Sequence, residues 1–260
     1  MTPSLAQTLL SIASGTLVGC SLGLIGGGGS VLGVPLMVYL VGVGDPHVAI
    51  GTSALGVAVN AALSLADHAR AGSVKWRCGA MYAAAGVAGA WLGSSLGKIV
   101  NGERLIFLFA LVMIAIGIVM LRQRGNPGEP GAECTVAKAP KVLGYGLVTG
   151  MFSGFFGIGG GFLIVPGLLR STGMPMLNAV GTSLVAVTAF GLTTAVSYAA
   201  SGFIQWGLAA AFIAGGVLGS ALGARIARRL AKETGRLAIL FAVIVFAVAS
   251  YMLARTSSAW

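Results

Sequence analysis

The chain has 260 residues, of which 57% are hydrophobic and only 8% are charged, and its mean hydropathy is +0.95. A soluble domain covers its surface with roughly 25% charged residues, so most of this surface must face a lipid bilayer. This composition excludes a disordered chain and a secreted disulfide scaffold. The net charge of +10 comes from 16 Lys and Arg against 6 Asp and Glu. No basic stripe with interleaved aromatic residues is present to bind nucleic acid.

Apolar runs between charged and turn residues predict ten membrane segments. They are residues 5–25, 31–40, 48–66, 79–96 and 105–121, then 142–156, 162–169, 178–200, 208–224 and 237–253. No Lys or Arg precedes Arg70, so the first run lacks the charged start of a signal peptide and is predicted to be a retained span. A helix needs ~20 residues to cross a ~30 Å hydrocarbon core. The runs 31–40 and 162–169 are therefore short.

The two sets of segments are related by an internal duplication. The matched stretches are Gly26–Pro35 with Gly157–Pro166, Ala49–Ser53 with Ala179–Ser183, Gly72–Trp76 with Gly202–Trp206, and Gly89–Gly93 with Gly219–Gly223. Order and spacing are kept throughout, which chance Gly/Ala similarity would not produce. The duplication predicts a first repeat at 1–121, a polar linker at 122–141 and a second repeat at 142–260.

The positive charges predict how the repeats are oriented. Ten crossings place all but Lys98, Arg104 and Arg255 on the side of the linker, as the positive-inside rule requires. If the two short runs were re-entrant, the Lys and Arg residues would divide equally. We therefore expect an all-α polytopic membrane protein with two five-helix inverted repeats, a cytoplasmic linker and both termini outside. The Gly-rich helix breaks would lie at the pseudo-two-fold centre.

Short, Gly/Pro-interrupted segments at corresponding places are typical of secondary transporters, with substrate near the midplane. Each glycine inside a helix costs ~1 kcal/mol relative to Ala, so both glycine runs predict helix breaks. The N-terminus of the helix after each break exposes N–H groups that favour an anion. The candidate substrate-binding residues are Gly26, Gly27, Gly28, Gly29, Ser30, Thr52 and Ser53, with Gly157, Gly159, Gly160, Gly161, Thr182 and Ser183 in the second repeat.

Several of these polar and small residues have a second interpretation. The Thr-Ser pairs can instead return hydrogen bonds to their own helix backbone. Glycines at the Gly89–Gly93 and Gly219–Gly223 spacing are predicted to mediate helix packing. The two histidines, His47 and His68, fall at span ends and are predicted to be solvated. Asn60 and Asn178 fit either helix–helix contacts or ligand contacts, and the sequence does not choose between them.

The sparse carboxylates narrow the class of substrate. Asp67 falls near the end of a span and Asp45 in an outer turn, whereas a cation transporter normally buries acidic ligands. A small anion is therefore the predicted substrate. No metal site, cofactor or nucleic-acid partner is predicted, and a homodimer remains open. An intramembrane enzyme is disfavoured because the spans hold no nucleophile with a base, aspartate pair or metal cluster.

Gly-x-Gly-Gly-Gly followed by Val-Pro and then Gly-Thr-Ser, once per repeat, resembles the TauE/SafE sulfite exporter family. The resemblance implies export of sulfite, sulfoacetate or a related organosulfonate across a bacterial cytoplasmic (inner) membrane. Ser30 stands where the second repeat has Gly161, so the two half-sites are expected to differ. The alternatives are an anion channel, a carrier for another small anion and a non-transport membrane scaffold.

Overall fold

The computed structural model describes residues 4–123, 138–157, 161–230 and 236–257. Within these ranges the fold is entirely helical, with no strand. Four stretches there are long and apolar enough to cross a membrane, namely Leu5–Leu40, Pro46–Arg70, Met176–Ala200 and Trp206–Ala227. Shorter apolar helices occur at Arg104–Val119, Leu163–Thr172 and Val245–Ala254. The predicted all-helical, polytopic architecture is confirmed.

The structure has ten α-helices, α1 to α10, in its described residues. The second of them, α2, is very short and continues into helical turns of other types on both sides. The ten helices are α1 Leu5–Ile25, α2 Gly33–Pro35, α3 Pro46–Arg70, α4 Trp76–Gly97, α5 Gly102–Gln123, α6 Ala139–Phe156, α7 Gly161–Thr172, α8 Met176–Ala200, α9 Trp206–Leu230 and α10 Arg236–Ser257. A 3₁₀-helix, Gly26–Leu32, precedes α2, and a π-helix, Leu36–Leu40, follows it. The π-turn follows directly after Pro35, which has no N–H to donate to the preceding turn.

Local sequence accounts for the start of α1 and for both ends of α3. A capping box starts α1, where the Ser4 hydroxyl accepts from the Gln7 N–H and the Gln7 side chain accepts from the Ser4 N–H. The Asp45 carboxylate accepts from the His47 N–H at 2.8 Å, and Pro46 occupies the first turn of α3. Gly72, at φ +69°, turns the chain after α3. These signals determine where α1 and α3 begin and where α3 ends.

Glycines let two pairs of parallel helices touch backbone to backbone. On α1, a Cβ at Gly15 would strike the Phe212 carbonyl of α9, and Gly19 lies against Gly216. On α4, Gly89 and Gly93 lie against Leu147 and Met151 of α6 in the same way. Gly219 and Gly223 of α9 face the backbones of Thr16 and Cys20. The packing role predicted for the glycine pairs is confirmed.

Helices α3 and α8 cross between these glycine-packed pairs and run in opposite directions. Near the start of α3, Gly51 packs against Tyr198, in the last turn of α8, and against Phe203, in the loop after α8. At the other end, the Asn178 amide of α8 donates to the Ser73 carbonyl at 3.1 Å, just beyond the end of α3. Asn178 thus joins α8 to the loop after α3, a contact of the packing kind that the sequence leaves as one of its two alternatives.

Candidate functional site

The first helix break starts at Gly26, directly after α1. Its φ of +63° is a conformation that side chains disfavour. A Cβ there would also lie 2.5 Å from the Val180 carbonyl oxygen and 2.8 Å from the Ser183 Oγ of α8. Two separate features therefore require glycine at position 26, namely the backbone conformation and the close approach of α8.

A buried hydrogen-bond network joins the first break to the second repeat. The Gly27 N–H donates to Ser183 Oγ at 2.9 Å, and that hydroxyl donates to the Val180 carbonyl at 2.7 Å. The Ser30 hydroxyl donates to the Gly27 carbonyl at 2.8 Å. Gly26–Ser30 and Ser183 are all buried. The structure therefore brings together predicted site residues from both halves of the chain.

The two threonines of the Thr-Ser pairs make matching contacts across the repeats. Thr182 Oγ1 accepts from the Lys75 N–H at 2.9 Å, and Thr52 Oγ1 accepts from the Gln205 N–H at 3.0 Å. Lys75 and Gln205 immediately precede α4 and α9. Each threonine thus lies at the N-terminus of a long helix, where the helix dipole favours negative charge. Ser53, by contrast, donates to its own helix at the Ile50 carbonyl.

The second break is described only in part. Gly157 ends α6 at φ +66°, and a Cβ there would strike the Ile50 side chain of α3. Gly159 and Gly160 lie outside the described residues, and Gly161 begins α7. The geometry predicted for this glycine run is therefore described at its two ends only.

The two breaks adjoin opposite ends of α3. Gly157 lies beside Ile50 near the start of α3. Gly23, in the last turn of α1, is bonded through its carbonyl to His68 near the end of α3. Eighteen helical residues separate Ile50 from His68, or ~27 Å at 1.5 Å per residue. Gly26 and Gly157 consequently do not face each other at one point. Contact between the short segments comes instead from packing of the Gly26–Leu32 helix against α7.

The prediction that both histidines are solvated is wrong. His68 is fully buried, with Nε2 2.9 Å from the Gly23 carbonyl oxygen and Nδ1 2.9 Å from Ser73 Oγ. His47 is partly buried against the rings of Tyr198 and Phe203. A position at the end of a span suggests contact with solvent, but α1 and the loop after α3 enclose His68, and the end of α8 packs against His47.

Asn60 is a polar residue whose environment the sequence leaves undecided. Its side chain is fully buried, and neither amide atom has a hydrogen-bond partner in the part of the chain that the structure describes. It packs against Gly216 of α9 near the middle of α3. Asn60, Ser64 and His68 share one face of α3 at four-residue spacing. That periodicity is the sequence signal for a buried polar stripe.

Carboxylates are sparse around these residues. Asp67 pairs with Arg70 at 3.8 Å, one turn along the surface of α3. Among the described residues, no group of three or more His, Cys, Asp or Glu side chains is placed to hold a metal ion. The first break therefore combines the Gly27 N–H with the hydroxyls of Ser30 and Ser183, and the N-terminus of α4 meets Thr182, the residue before Ser183. Donors of this kind suit an anion.

Comparison with known proteins gives the family. The model of the family described as sulfite exporter TauE/SafE matches residues 11–252. A probable membrane transporter protein of Xylella fastidiosa is 46% identical over 254 residues, covering 97% of each chain. The Bacillus subtilis probable membrane transporter protein YunE is 27% identical over 230 residues, covering 80% of this chain and 84% of its own. No solved structure matches. The chain therefore belongs to the sulfite exporter TauE/SafE family, and it is a multi-pass membrane transporter.

Proposed function

We propose that the chain is a secondary transporter that exports a small sulfur oxyanion or organosulfonate, such as sulfite or sulfoacetate, by alternating access. The observation that carries the proposal is the buried network joining Gly27 of the first break to Ser183 of α8. It links buried polar backbone of the first repeat to the opposite half of the chain. Such backbone is tolerated inside a bilayer only where protein or a wet cavity surrounds it.

The N-termini of two long helices lie near the residues of α8 that contact the first break. The start of α4 meets Thr182, and Gly181 near the start of α8 packs against Ser73. Val180 and Ser183, on either side of these residues, contact Gly26 and Gly27. The O–H of Thr182 supplies a further donor because its described bond to Lys75 uses only the oxygen lone pair. A sulfonate or sulfite oxygen accepts such donors, whereas a cation does not.

Inverted repeats are the proposed basis of alternating access. Equivalent helices α3 and α8 run antiparallel, and equivalent contacts recur at Thr52 and Thr182. In the proposed orientation the linker lies in the cytoplasm, below a bacterial inner membrane, and both termini lie outside. The glycine-packed pairs α1–α9 and α4–α6 are the proposed moving units, because their backbones touch closely enough to move together. Rocking of one pair relative to α3 and α8 would open each break in turn.

Counterflow in proteoliposomes tests the proposal. Vesicles preloaded with unlabelled sulfite should take up labelled sulfite faster than empty vesicles, and sulfoacetate should replace sulfite in this role. Taurine, sulfate and thiosulfate complete the panel, with and without a pH gradient. Saturable uptake stimulated from the opposite side supports a carrier. Conductance far above carrier turnover would instead favour the alternative function, an anion channel lined by broken helices.

A further inference from the structure

We infer that His68 is a proton-binding site whose protonation strengthens anion binding at the first break; this inference rests on the proposed function. His68 is fully buried and lies two residues before the end of α3. Its ring joins the last turn of α1, through Gly23, to the loop after α3, through Ser73. The protonation state of this ring therefore affects its hydrogen bond to the last turn of α1, directly before the first break.

The hydrogen bonds around His68 accommodate both protonation states. A carbonyl oxygen only accepts, so Nε2 carries a hydrogen toward Gly23 in either state. In the neutral ring, the Ser73 hydroxyl donates to Nδ1. In the charged ring, Nδ1–H donates to Ser73 Oγ, and that hydroxyl turns to donate to the His68 carbonyl, 3.0 Å away. Proton uptake therefore needs rotation of one hydroxyl and leaves every one of these groups bonded.

Burying an imidazolium costs free energy, and two features of the fold offset that cost. The charged ring makes a charge-assisted hydrogen bond to Gly23, which is stronger than the neutral one. The C-termini of α1 and α3 both end beside the ring, and their dipoles favour a cation. The His68 ring is consequently suited to bind and release a proton reversibly.

The proton site adjoins the proposed anion site by two routes. Gly23 lies three residues before Gly26 on the same stretch of backbone. Ser73 is the second partner of the ring. Its carbonyl oxygen also accepts a hydrogen bond from the Asn178 amide, and it packs against Gly181 of α8. Ser183 of that helix binds Gly27. A positive charge on His68 attracts an anion held there, and this attraction is strong because the surroundings are apolar.

Other ionisable groups at this end of the bundle are exposed or only partly buried. They include Asp67 and Arg70 of α3, Lys75 and Arg77 beside the start of α4, Arg225 and Arg229 of α9, and Cys20 of α1, whose backbone packs against α9. Asp67 and Arg70 pair with each other. At the equivalent place in the second repeat stands Tyr198, whose phenol finds no hydrogen-bond partner among the described residues. Proton linkage is therefore expected at the first break alone.

Histidine NMR of the full chain in detergent tests the inference. The protein has two histidines, so ¹⁵N-histidine labelling gives two ring signals, and His47→Gln assigns them. We expect sulfoacetate, which stays ionised above about pH 6, to raise the titration midpoint of His68. By reciprocity, a rise of one pH unit means about tenfold tighter sulfoacetate binding below the midpoint than above it.

His68→Gln keeps a donor for Gly23 and an acceptor for Ser73 but binds no proton near neutral pH. Sulfoacetate affinity of this variant should lose its pH dependence, whereas His47→Gln should keep it. Sulfoacetate binding that leaves the His68 midpoint unchanged, or unaltered pH dependence in His68→Gln, would overturn the proton linkage alone. Failure of the wild-type protein to bind any anion of the panel would overturn the proposed function and this inference with it.

Discussion

Ser183, which binds the first break, and its neighbour Thr182, which meets the start of α4, use their hydroxyls differently. Ser183 donates to Val180 and accepts from Gly27, so its donor is already used. Thr182 accepts from the Lys75 N–H, and the described residues offer its own O–H no acceptor. Of the two hydroxyls, Thr182 is therefore the one able to donate to a substrate oxygen without breaking a bond of the fold.

Thr182→Val should weaken binding of a sulfonate or sulfite by roughly ten- to a hundredfold. A hydrogen bond to a charged group contributes ~1.5–3 kcal/mol, and 1.4 kcal/mol is a factor of ten. Thr182→Ser is the matched control, because it keeps the hydroxyl that donates and that accepts from Lys75. Binding in detergent measures both variants. Equal affinity in Thr182→Val and the wild type would remove this hydroxyl from the site.

Asn60→Leu should raise the stability of the folded protein by ~1–3 kcal/mol. The substitution is close in shape and removes an amide that is buried without partners, together with its desolvation cost. Asn178→Leu is the control with the opposite sign, since it breaks the bond to the Ser73 carbonyl. Reversible unfolding in mixed detergent micelles measures both. Destabilisation by Asn60→Leu would mean that the amide has a partner in the folded protein.

At the scale of single helices, close approach of glycine backbones decides which elements pair. Gly89 contacts the Leu147 carbonyl of α6, and neither backbone can yield without opening the interface. Gly144, also on α6, faces open space, because a Cβ added there would meet no neighbouring atom within 4 Å. An alanine side chain therefore has no room at Gly89 but ample room at Gly144.

Gly89→Ala should destabilise the protein by ~1–3 kcal/mol, the usual cost of overpacking, while the folded fraction binds anion normally. Gly144→Ala should be neutral or slightly stabilising, because alanine favours helix and meets no neighbour. The yield of folded protein and the affinity of that fraction separate the two effects. Loss of affinity in folded Gly89→Ala protein would move this glycine from packing into the site.

Periodicity and breaker residues predict most helices well, because those signals are local. The first span is predicted at 5–25, and α1 runs Leu5–Ile25; the eighth is predicted at 178–200, and α8 runs Met176–Ala200. Tertiary contacts determine the features that the sequence does not predict. Nothing local in the sequence indicates that Gly26–Leu32 continues as a 3₁₀-helix, or that His68 is enclosed, because both depend on helices distant in the chain.

At the scale of the whole molecule, orientation of the two halves is the main structural prediction. Cysteines at Ala71 and Ser201, equivalent and exposed positions after α3 and α8, should label from opposite sides of the membrane in a background without other cysteines. Ala71 should be cytoplasmic, as should the linker at 122–141, because the positive charges collect there. Labelling of both positions from one side would contradict the inverted repeat and favour parallel halves.

Direct binding of radiolabelled sulfite to the purified protein tests the central claim, that an anion is held at the first break. Sulfite should bind to the wild type, sulfoacetate should compete with it, and the cation spermidine should not. Gly28→Val, which adds bulk to the buried glycine run, should abolish binding in protein that remains folded. Sulfite binding that persists in folded Gly28→Val protein, or displacement of sulfite by spermidine, would contradict the account.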